Sequence, residues 1–202
     1  MQFIQRGITS FFLTLFVLSS YHSDKIYFLF VNLTFLLGIY ELFLFIKFYL
    51  HFNNFRNQNR KIYFLIVMYQ SMMIYIYFSL LFKMNQKQRY LDLILYNSTS
   101  DVFQFLCGKI FGHYYLTNIT TKTLEGYAGG IIFPRILFPD FDENLIYYNL
   151  IGMMGGLFSS YLKRKLGVKH WSNLLGAHGG VGDRLDSLVI PLFFYNCYNF
   201  KF

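Results

Sequence analysis

Long apolar runs separated by short polar loops are the feature that most constrains this chain. The cleanest run covers residues 62–82 and contains no charged side chain. At a rise of ~1.5 Å per residue, a helix of this length crosses a hydrocarbon layer of ~30 Å. Hydrophobic residues make up 55% of the chain and charged residues only 14%. This composition predicts an integral membrane protein.

The apolar runs predict an all-α bundle of about seven transmembrane helices. The predicted spans cover residues 8–18, 26–50, 62–82, 90–110, 126–138, 145–162 and 187–198. The first run resembles the start of a signal peptide, but no A-x-A-like cleavage site follows it, so we expect a retained short span. Neither a repeat nor a linker is visible. We therefore expect one membrane domain over residues 1–202, with N-terminal spans in 1–89 and site-bearing spans in 90–202.

The formal net charge of +8 does not indicate a nucleic-acid-binding protein. The basic residues lie in short loops, where they orient a membrane protein and attract anionic headgroups or phosphates. With seven spans, most cations fall on the side that carries the loops at 51–61, 109–125 and 163–186. The positive-inside rule predicts that this side faces the cytoplasm, for an endoplasmic reticulum protein, or the matrix, for a mitochondrial inner-membrane protein.

Some predicted spans contain polar or small residues. Asp92, Asp101 and the polar residues 97–100 interrupt the fourth span, which predicts that this helix lines an interior cavity. Glu41 in the second span is either a functional group facing the bundle or a hydrogen-bonded structural one. The sixth span carries small residues that allow close helix contact. They are Gly152, Gly155, Gly156, Ser159 and Ser160.

Residues 160–186 concentrate charges and glycines in an otherwise apolar chain. Asp183 and Asp186 supply carboxylates, and Gly179 and Gly180 form a small-residue turn. The cations of this stretch are Lys163, Arg164, Lys165, Lys169 and Arg184. Cations neutralise phosphate charge, carboxylates hold hard divalent metals, and glycines let backbone N–H groups approach an anion. The pattern therefore predicts a phosphate site.

The same stretch resembles the signature of the phosphatidate cytidylyltransferases, also called CDP-diacylglycerol synthases. Sixteen positions fall in register with it. They are Ser160, Leu162, Lys163, Arg164, Lys169, Ser172, Leu175, Gly176, His178, Gly179, Gly180, Val181, Asp183, Arg184, Leu185 and Asp186. His170 departs from the signature, because the family has Asp there. Two upstream segments also match family motifs, through Asp101, Gly108, Lys109 and Gly112, and through Lys122, Thr123, Glu125 and Gly126.

The resemblance implies a polytopic membrane bundle that transfers cytidylyl from CTP to phosphatidate and releases pyrophosphate. It implies catalytic roles for Asp183, Asp101, Lys163 and Arg164, with Asp183 also a ligand of Mg²⁺. It further implies a substrate-binding set that contacts phospholipid phosphate and CTP. These residues are Lys122, Thr123, Glu125, Lys169, His178, Gly179, Gly180, Arg184 and Asp186.

Three departures from the family remove carboxylates. Gly156 stands where the family has a second metal-binding Asp, Ser159 where it has Glu, and His170 where it has Asp. Glycine offers no side-chain ligand, so the departures predict a weakened metal site. Structural interpretations also remain open. Asp183, Arg184 and Asp186 would form an ion-pair cluster, residues 163–165 a basic membrane anchor, and His178 a hydrogen bond to backbone.

Two functional hypotheses follow. In the first, the chain is a catalytically impaired member of the family, without a cofactor, and serves as a structural subunit of a larger membrane assembly or as a homodimer. A mitochondrial assembly is one setting for it. In the second, the chain is an active phosphatidate cytidylyltransferase that uses Mg²⁺ and CTP. Phospholipid is an expected partner in both hypotheses, and nucleic acid in neither.

Overall fold

A computed structural model describes residues 15–52, 60–117, 120–165, 168, 170, 179–180 and 182–198. The chain forms two compact units. The first unit comprises Met1–Lys87 and Val168–Leu185, and the second comprises Gln88–Gly167 and Asp186–Phe202. The expectation of one membrane domain stays a prediction.

Most of the described residues are helical, as the apolar runs predict. The helices are α1 (Asp24–Phe52), α2 (Arg60–Phe82), α3 (Lys87–Phe111), α4 (Leu124–Leu137), α5 (Leu145–Lys165), α6 (Gly182–Leu185) and α7 (Val189–Tyr198). Residues 15–22 are helical too, and Met84–Gln86 forms a 3₁₀ turn. The antiparallel strands β1 (Tyr115–Thr117) and β2 (Thr120–Thr123) form a hairpin that the all-α expectation did not include.

The six predicted spans from residue 26 onward coincide with helices α1 to α5 and α7. Most of the first predicted span, residues 8–18, lies outside the described residues. Among the residues that the structure describes, no helix combines the length and the apolarity required to cross a membrane. The helices themselves confirm that the described residues are mostly helical.

In the first unit, α1 and α2 contact each other through aromatic and polar side chains. Tyr27 is fully buried, and its hydroxyl donates to the carbonyl of Leu80 at 3.2 Å. The Tyr77 hydroxyl donates to Asn32 Oδ1 at 2.8 Å, and the Tyr77 ring stacks on Phe35 with centroids 3.6 Å apart. Since each hydroxyl is paired, the tyrosines pack into this contact without leaving a buried donor unsatisfied.

In the second unit, the small residues of α5 allow the close helix contact that their spacing predicts. A Cβ atom at Gly152 would lie 2.5 Å from Asn97 Oδ1 on α3 and 2.6 Å from the carbonyl oxygen of Ser187. A Cβ at Gly155 would lie 3.3 Å from the carbonyl oxygen of Asp186. Gly152 therefore lets α5 approach both α3 and the turn before α7 more closely than any other residue would.

Helix α4 packs on α3 through a second set of glycines. A Cβ at Gly126 would lie 2.6 Å from the Gln104 carbonyl oxygen, and one at Gly129 would overlap Cys107 Sγ. Asn149 of α5 donates through Nδ2 to the carbonyl oxygen of Gly130 at 3.1 Å. Helices α3, α4 and α5 are thereby held together by backbone proximity, which fixes the positions of the polar groups that they carry.

We predict that Gly152→Ala lowers the free energy of unfolding by about 1–3 kcal/mol, because the added methyl group overpacks a well-filled contact. Gly38→Ala is the matched control, since a Cβ at Gly38 meets no described atom outside its own helix within 4 Å. Alanine is the better helix former by roughly 0.5–1 kcal/mol, so the control is expected to be neutral or stabilising. Denaturant-induced unfolding in detergent checks both variants. Equal stability of the two would contradict the close contact.

Candidate functional site

Four charged side chains of the second unit form a cluster, called here the four-charge cluster: Asp101, Lys122, Lys163 and Asp186. Asp101 lies on α3, Lys122 on β2, Lys163 in the last turn of α5, and Asp186 just before α7. Separate elements thus bring together residues that are distant in sequence. The sequence predicts all four as site residues.

Lys163 and Asp186 form a direct ion pair within the cluster. Lys163 Nζ donates to Asp186 Oδ2 at 2.6 Å, and each side chain is only 10% exposed. Removal of either partner of such a shielded, hydrogen-bonded ion pair is costly, because it leaves an uncompensated buried charge. The basic end of α5 is therefore fixed to the start of the last helix, and Lys163 is not a solvent-exposed membrane anchor.

Asp101 is held by two neighbouring side chains. Gln104 Nε2 donates to Asp101 Oδ1 at 3.3 Å, and the Ser187 hydroxyl donates to Asp101 Oδ2. Gln104 follows Asp101 by three residues and therefore lies on the same face of α3. Both carboxylate oxygens accept hydrogen bonds from protein donors.

Lys122 occupies a mostly enclosed position between α3 and α5. Its Nζ lies 3.4 Å from Gln104 Oε1, 5.5 Å from the centroid of the Tyr127 ring and 3.1 Å from the place that a Cβ at Gly156 would occupy. Burial lowers the pKa of Lys122 from its ordinary value. The charges of Asp101 and Asp186 oppose this shift, and the charge of Lys163 adds to it.

Thr123 caps the N-terminus of α4, and its side chain accounts for two glycines of the family motif. Its backbone is extended and its Oγ1 accepts a hydrogen bond from Gly126 N at 3.2 Å, as an N-cap residue does. A Cβ at Gly108 would lie 3.0 Å from this oxygen, and one at Gly112 would lie 2.8 Å from it. The two glycines therefore make room for the capping side chain.

Glu125 closes the hairpin. Its Oε1 accepts hydrogen bonds from the backbone N–H groups of His113 and Tyr114, each at 3.1 Å. Backbone N–H donors, its own first and then those of His113 and Tyr114, lower the pKa of Glu125 against the opposing effect of desolvation. In the described structure this carboxylate bonds to the protein backbone, and its predicted contact with substrate stays a prediction.

In the first unit, Asp183 lies in the first turn of α6, shortly after a tight turn at Gly179 and Gly180. Gly180 N donates to Asp183 Oδ2 at 2.8 Å, His170 Nδ1 lies 3.5 Å from the same oxygen, and the Asp183 side chain is 6% exposed. Gly179 has φ = 81°, and a Cβ there would lie 2.5 Å from Asp183 Oδ2. Only glycine fits this position without strain. The Gly179–Gly180 turn therefore seats the Asp183 carboxylate.

Glu41 connects α1 to this turn. Its Oε2 accepts a hydrogen bond from Gly182 N at 2.9 Å, and the residue is 3% exposed. The contact supports the structural interpretation of Glu41, in which the carboxylate holds the backbone that precedes Asp183. A sequence alone does not pair these two segments, because 141 positions separate them.

The structure describes the remaining predicted site residues only in part. Arg164 is exposed in the last turn of α5, and the backbone of Arg184 lies in α6. Lys169 and His178 lie outside the described residues. The predicted single pocket that combines Asp101, Lys122 and Asp183 includes residues from both units and stays a prediction.

The described side chains do not fit a divalent-metal centre. In the part of the chain that the structure describes, no three His, Cys, Asp or Glu residues group as metal ligands. Mg²⁺ requires nearly octahedral oxygen ligands, whereas Asp101 and Asp186 bond to Ser187, Gln104 and Lys163. Gly156 adds no ligand to this set. The predicted role of Asp183 as a metal ligand stays a prediction.

Gln104 and Ser187 belong to the site but were not among the residues predicted from the sequence. Gln104 bonds both Asp101 and Lys122, and its spacing of three residues from Asp101 is a helical signal that was available. Ser187 bonds Asp101 across 86 positions, and no local pattern indicates that contact.

Comparison with known proteins assigns the chain to a family. Residues 2–138 and 145–202 match the model of the cytidylyltransferase family, and the chain belongs to this family. It is 36% identical over 107 residues to the phosphatidate cytidylyltransferase of Aquifex aeolicus (strain VF5), a match that covers 47% of this chain and 41% of that one. The protein of the same name from Helicobacter pylori (strain J99 / ATCC 700824) is 40% identical over 103 residues, or 45% and 39% of the two chains.

A third relative, the phosphatidate cytidylyltransferase of Staphylococcus haemolyticus (strain JCSC1435), is 34% identical over 110 residues, or 46% of this chain and 42% of the relative. The chain thus spans about two fifths of the length of the curated relatives that it matches. No solved structure matches it. The family resemblance of the signature is confirmed by these comparisons.

We predict that Glu125→Gln weakens the hairpin and removes part of its acid sensitivity. The folded pKa of Glu125 is lowered, so its contribution is present above the ordinary value of 4.5 and is lost as the pH falls below that value toward the folded pKa. Hydrogen exchange of the β1 amides, corrected for intrinsic rates, is expected to speed up several-fold in the variant at neutral pH. Glu143→Gln, at an exposed carboxylate paired with Arg135, is the control. Unchanged protection of the β1 amides in Glu125→Gln would contradict the role of the Glu125 carboxylate in holding the hairpin.

Proposed function

We propose that this chain is a membrane protein of the cytidylyltransferase family in which cytidylyl transfer is impaired and which serves as a structural subunit of a larger membrane assembly. The observation that carries the proposal is the position of Lys122. Its ammonium lies beside Gly156, where the resemblance implies a metal-binding carboxylate, at 3.1 Å from the Cβ position. A cation therefore stands where a metal ligand is expected.

The chemistry of nucleotidyl transfer explains why this arrangement impairs catalysis. The reaction depends on divalent ions that bridge phosphate oxygens, together with positioning of the attacking and leaving groups. The carboxylates of Asp101 and Asp186 instead accept bonds from Lys163, Gln104 and Ser187. The described part of the unit keeps cations that suit a phosphate group, but its described carboxylates do not form a set of metal ligands.

Exposed apolar side chains support the membrane and subunit parts of the proposal. On α1 the exposed fractions of Leu29, Leu36 and Phe43 are 56%, 63% and 61%. On α4 those of Ile132 and Ile136 are 54% and 65%. Apolar surface of this kind is covered by lipid or by protein partners. We propose an inner mitochondrial or endoplasmic reticulum location, with the basic loops on the matrix or cytoplasmic side.

A second candidate function is an active phosphatidate cytidylyltransferase. It is favoured by the four-charge cluster, which brings together two predicted cations and two predicted carboxylates of the second unit. The names of the relatives agree with this activity. With CTP, phosphatidate and Mg²⁺ it would make CDP-diacylglycerol and pyrophosphate. The described residues do not fit the metal, so no step of such a reaction is assigned to them.

Turnover distinguishes the two candidates. The purified full chain in lipid nanodiscs is incubated with labelled CTP, phosphatidate and Mg²⁺, beside the Aquifex aeolicus relative as positive control. We expect CDP-diacylglycerol formation by this chain to be at least 100-fold slower than by the relative. Turnover comparable to that of the relative, abolished by Asp101→Asn or Asp183→Asn, would reject the impaired function and establish the second candidate.

The subunit role is tested separately on the native protein. A tagged chain is extracted from its own membrane in mild detergent and its assembly is sized with quantification of the co-purifying chains. We expect an assembly with partner proteins in fixed ratio to the tagged chain. A free monomer or a homodimer alone would reject the larger assembly while leaving the turnover result unaffected.

A further inference from the structure

The amine of Lys122 lies beside Gly156, which has no side chain. The Cβ position of Gly156 lies 3.1 Å from Lys122 Nζ and 4.0 Å from Ser187 Cβ, the two described atoms outside its own helix that come within 4 Å. Gly156 itself is buried. The amine end of Lys122 therefore extends into space that any larger residue at position 156 would share with it.

The surroundings of this amine balance its charge. Asp101 and Asp186 act on Lys122 with charges that favour its ammonium form, and Lys163 is the second cation nearby. The two carboxylates and the two lysines of the cluster sum to zero. A divalent cation added to this set would leave a large excess of positive charge in a poorly hydrated place, which is costly.

We infer that Lys122 is a fixed internal cation of the second unit, whose ammonium fills the space beside Gly156 and neutralises Asp101 and Asp186 in place of a divalent metal ion. The inference deepens the proposed function and rests on the same contact, but it concerns what holds the cluster and not whether the chain turns over substrate. It makes Gly156 the residue that permits a lysine in this position.

Position 156 offers a way to reverse the arrangement. The nearest atom to a new Cβ is the end of a flexible side chain, so a small residue fits once Lys122 shifts or is shortened. In the double variant Lys122→Met/Gly156→Asp the cluster loses one cation and gains a third carboxylate. Lys122→Met/Gly156→Asn has the same shape without that carboxylate and serves as the matched control.

Binding of Mn²⁺, followed by the loss of the free-ion signal in electron paramagnetic resonance, reads out the metal directly. We expect the full wild-type chain in detergent to show no saturable site at micromolar Mn²⁺. The Lys122→Met/Gly156→Asp variant is expected to bind at least tenfold more tightly than its Asn control. A saturable site in the wild type that Asp101→Asn removes would overturn the inference, as would equal affinities in the two double variants.

Thermal unfolding keeps the inference testable if the double variants fail to fold. We expect Lys122→Met to lower the unfolding temperature by several degrees, Lys122→Arg to recover most of the loss, and Lys109→Met to have no effect. Lys109 is an exposed lysine near the end of α3 in the same unit. A change in Lys122→Met no larger than in Lys109→Met would overturn the inference, because a fixed internal cation cannot be removed without cost.

Discussion

The buried ion pair between Lys163 and Asp186 is the interaction on which the second unit depends. It joins the end of α5 to the start of the segment that leads into α7, with an Nζ to Oδ2 distance of 2.6 Å. Since a charge that loses its partner in such a place is costly, the pair fixes the register in which Ser187 reaches Asp101. Gly152 makes the same approach possible on the apolar side, because its missing side chain admits the Ser187 carbonyl. Charge and close packing thus determine one arrangement of α3, α5 and α7.

The first unit uses the signature residues in a different way. Asp183 accepts a hydrogen bond from Gly180 N, and Glu41 accepts one from Gly182 N. Two carboxylates therefore satisfy backbone donors of one turn, which only a glycine at position 179 allows. In this unit, a sequence motif typical of phosphate and metal chemistry also fixes the backbone conformation of a turn. The two uses are compatible, because a seated carboxylate is a pre-oriented one.

The helices were predictable from the sequence, since hydrophobic runs such as residues 62–82 define them without reference to tertiary contacts. The membership of Lys122, Lys163 and Asp186 in one cluster followed from the resemblance. The hairpin was not predictable in this way, because Tyr115–Thr117 and Thr120–Thr123 are short and lack an alternating apolar pattern. The bond of Ser187 to Asp101 depends on how α3 and the α7 segment pack, which no local pattern encodes.

Lys122, Asp101 and Asp186 form one electrostatically coupled cluster with Lys163. A double-mutant cycle with Lys122→Met and Asp101→Asn, measured by reversible unfolding in detergent, decides whether the charges are coupled. We expect a coupling free energy of about 1–3 kcal/mol, which lies within the range for residues of one ion-pair network. Additivity of the two substitutions to within about 0.3 kcal/mol, which is typical of distant and independent sites, would contradict it.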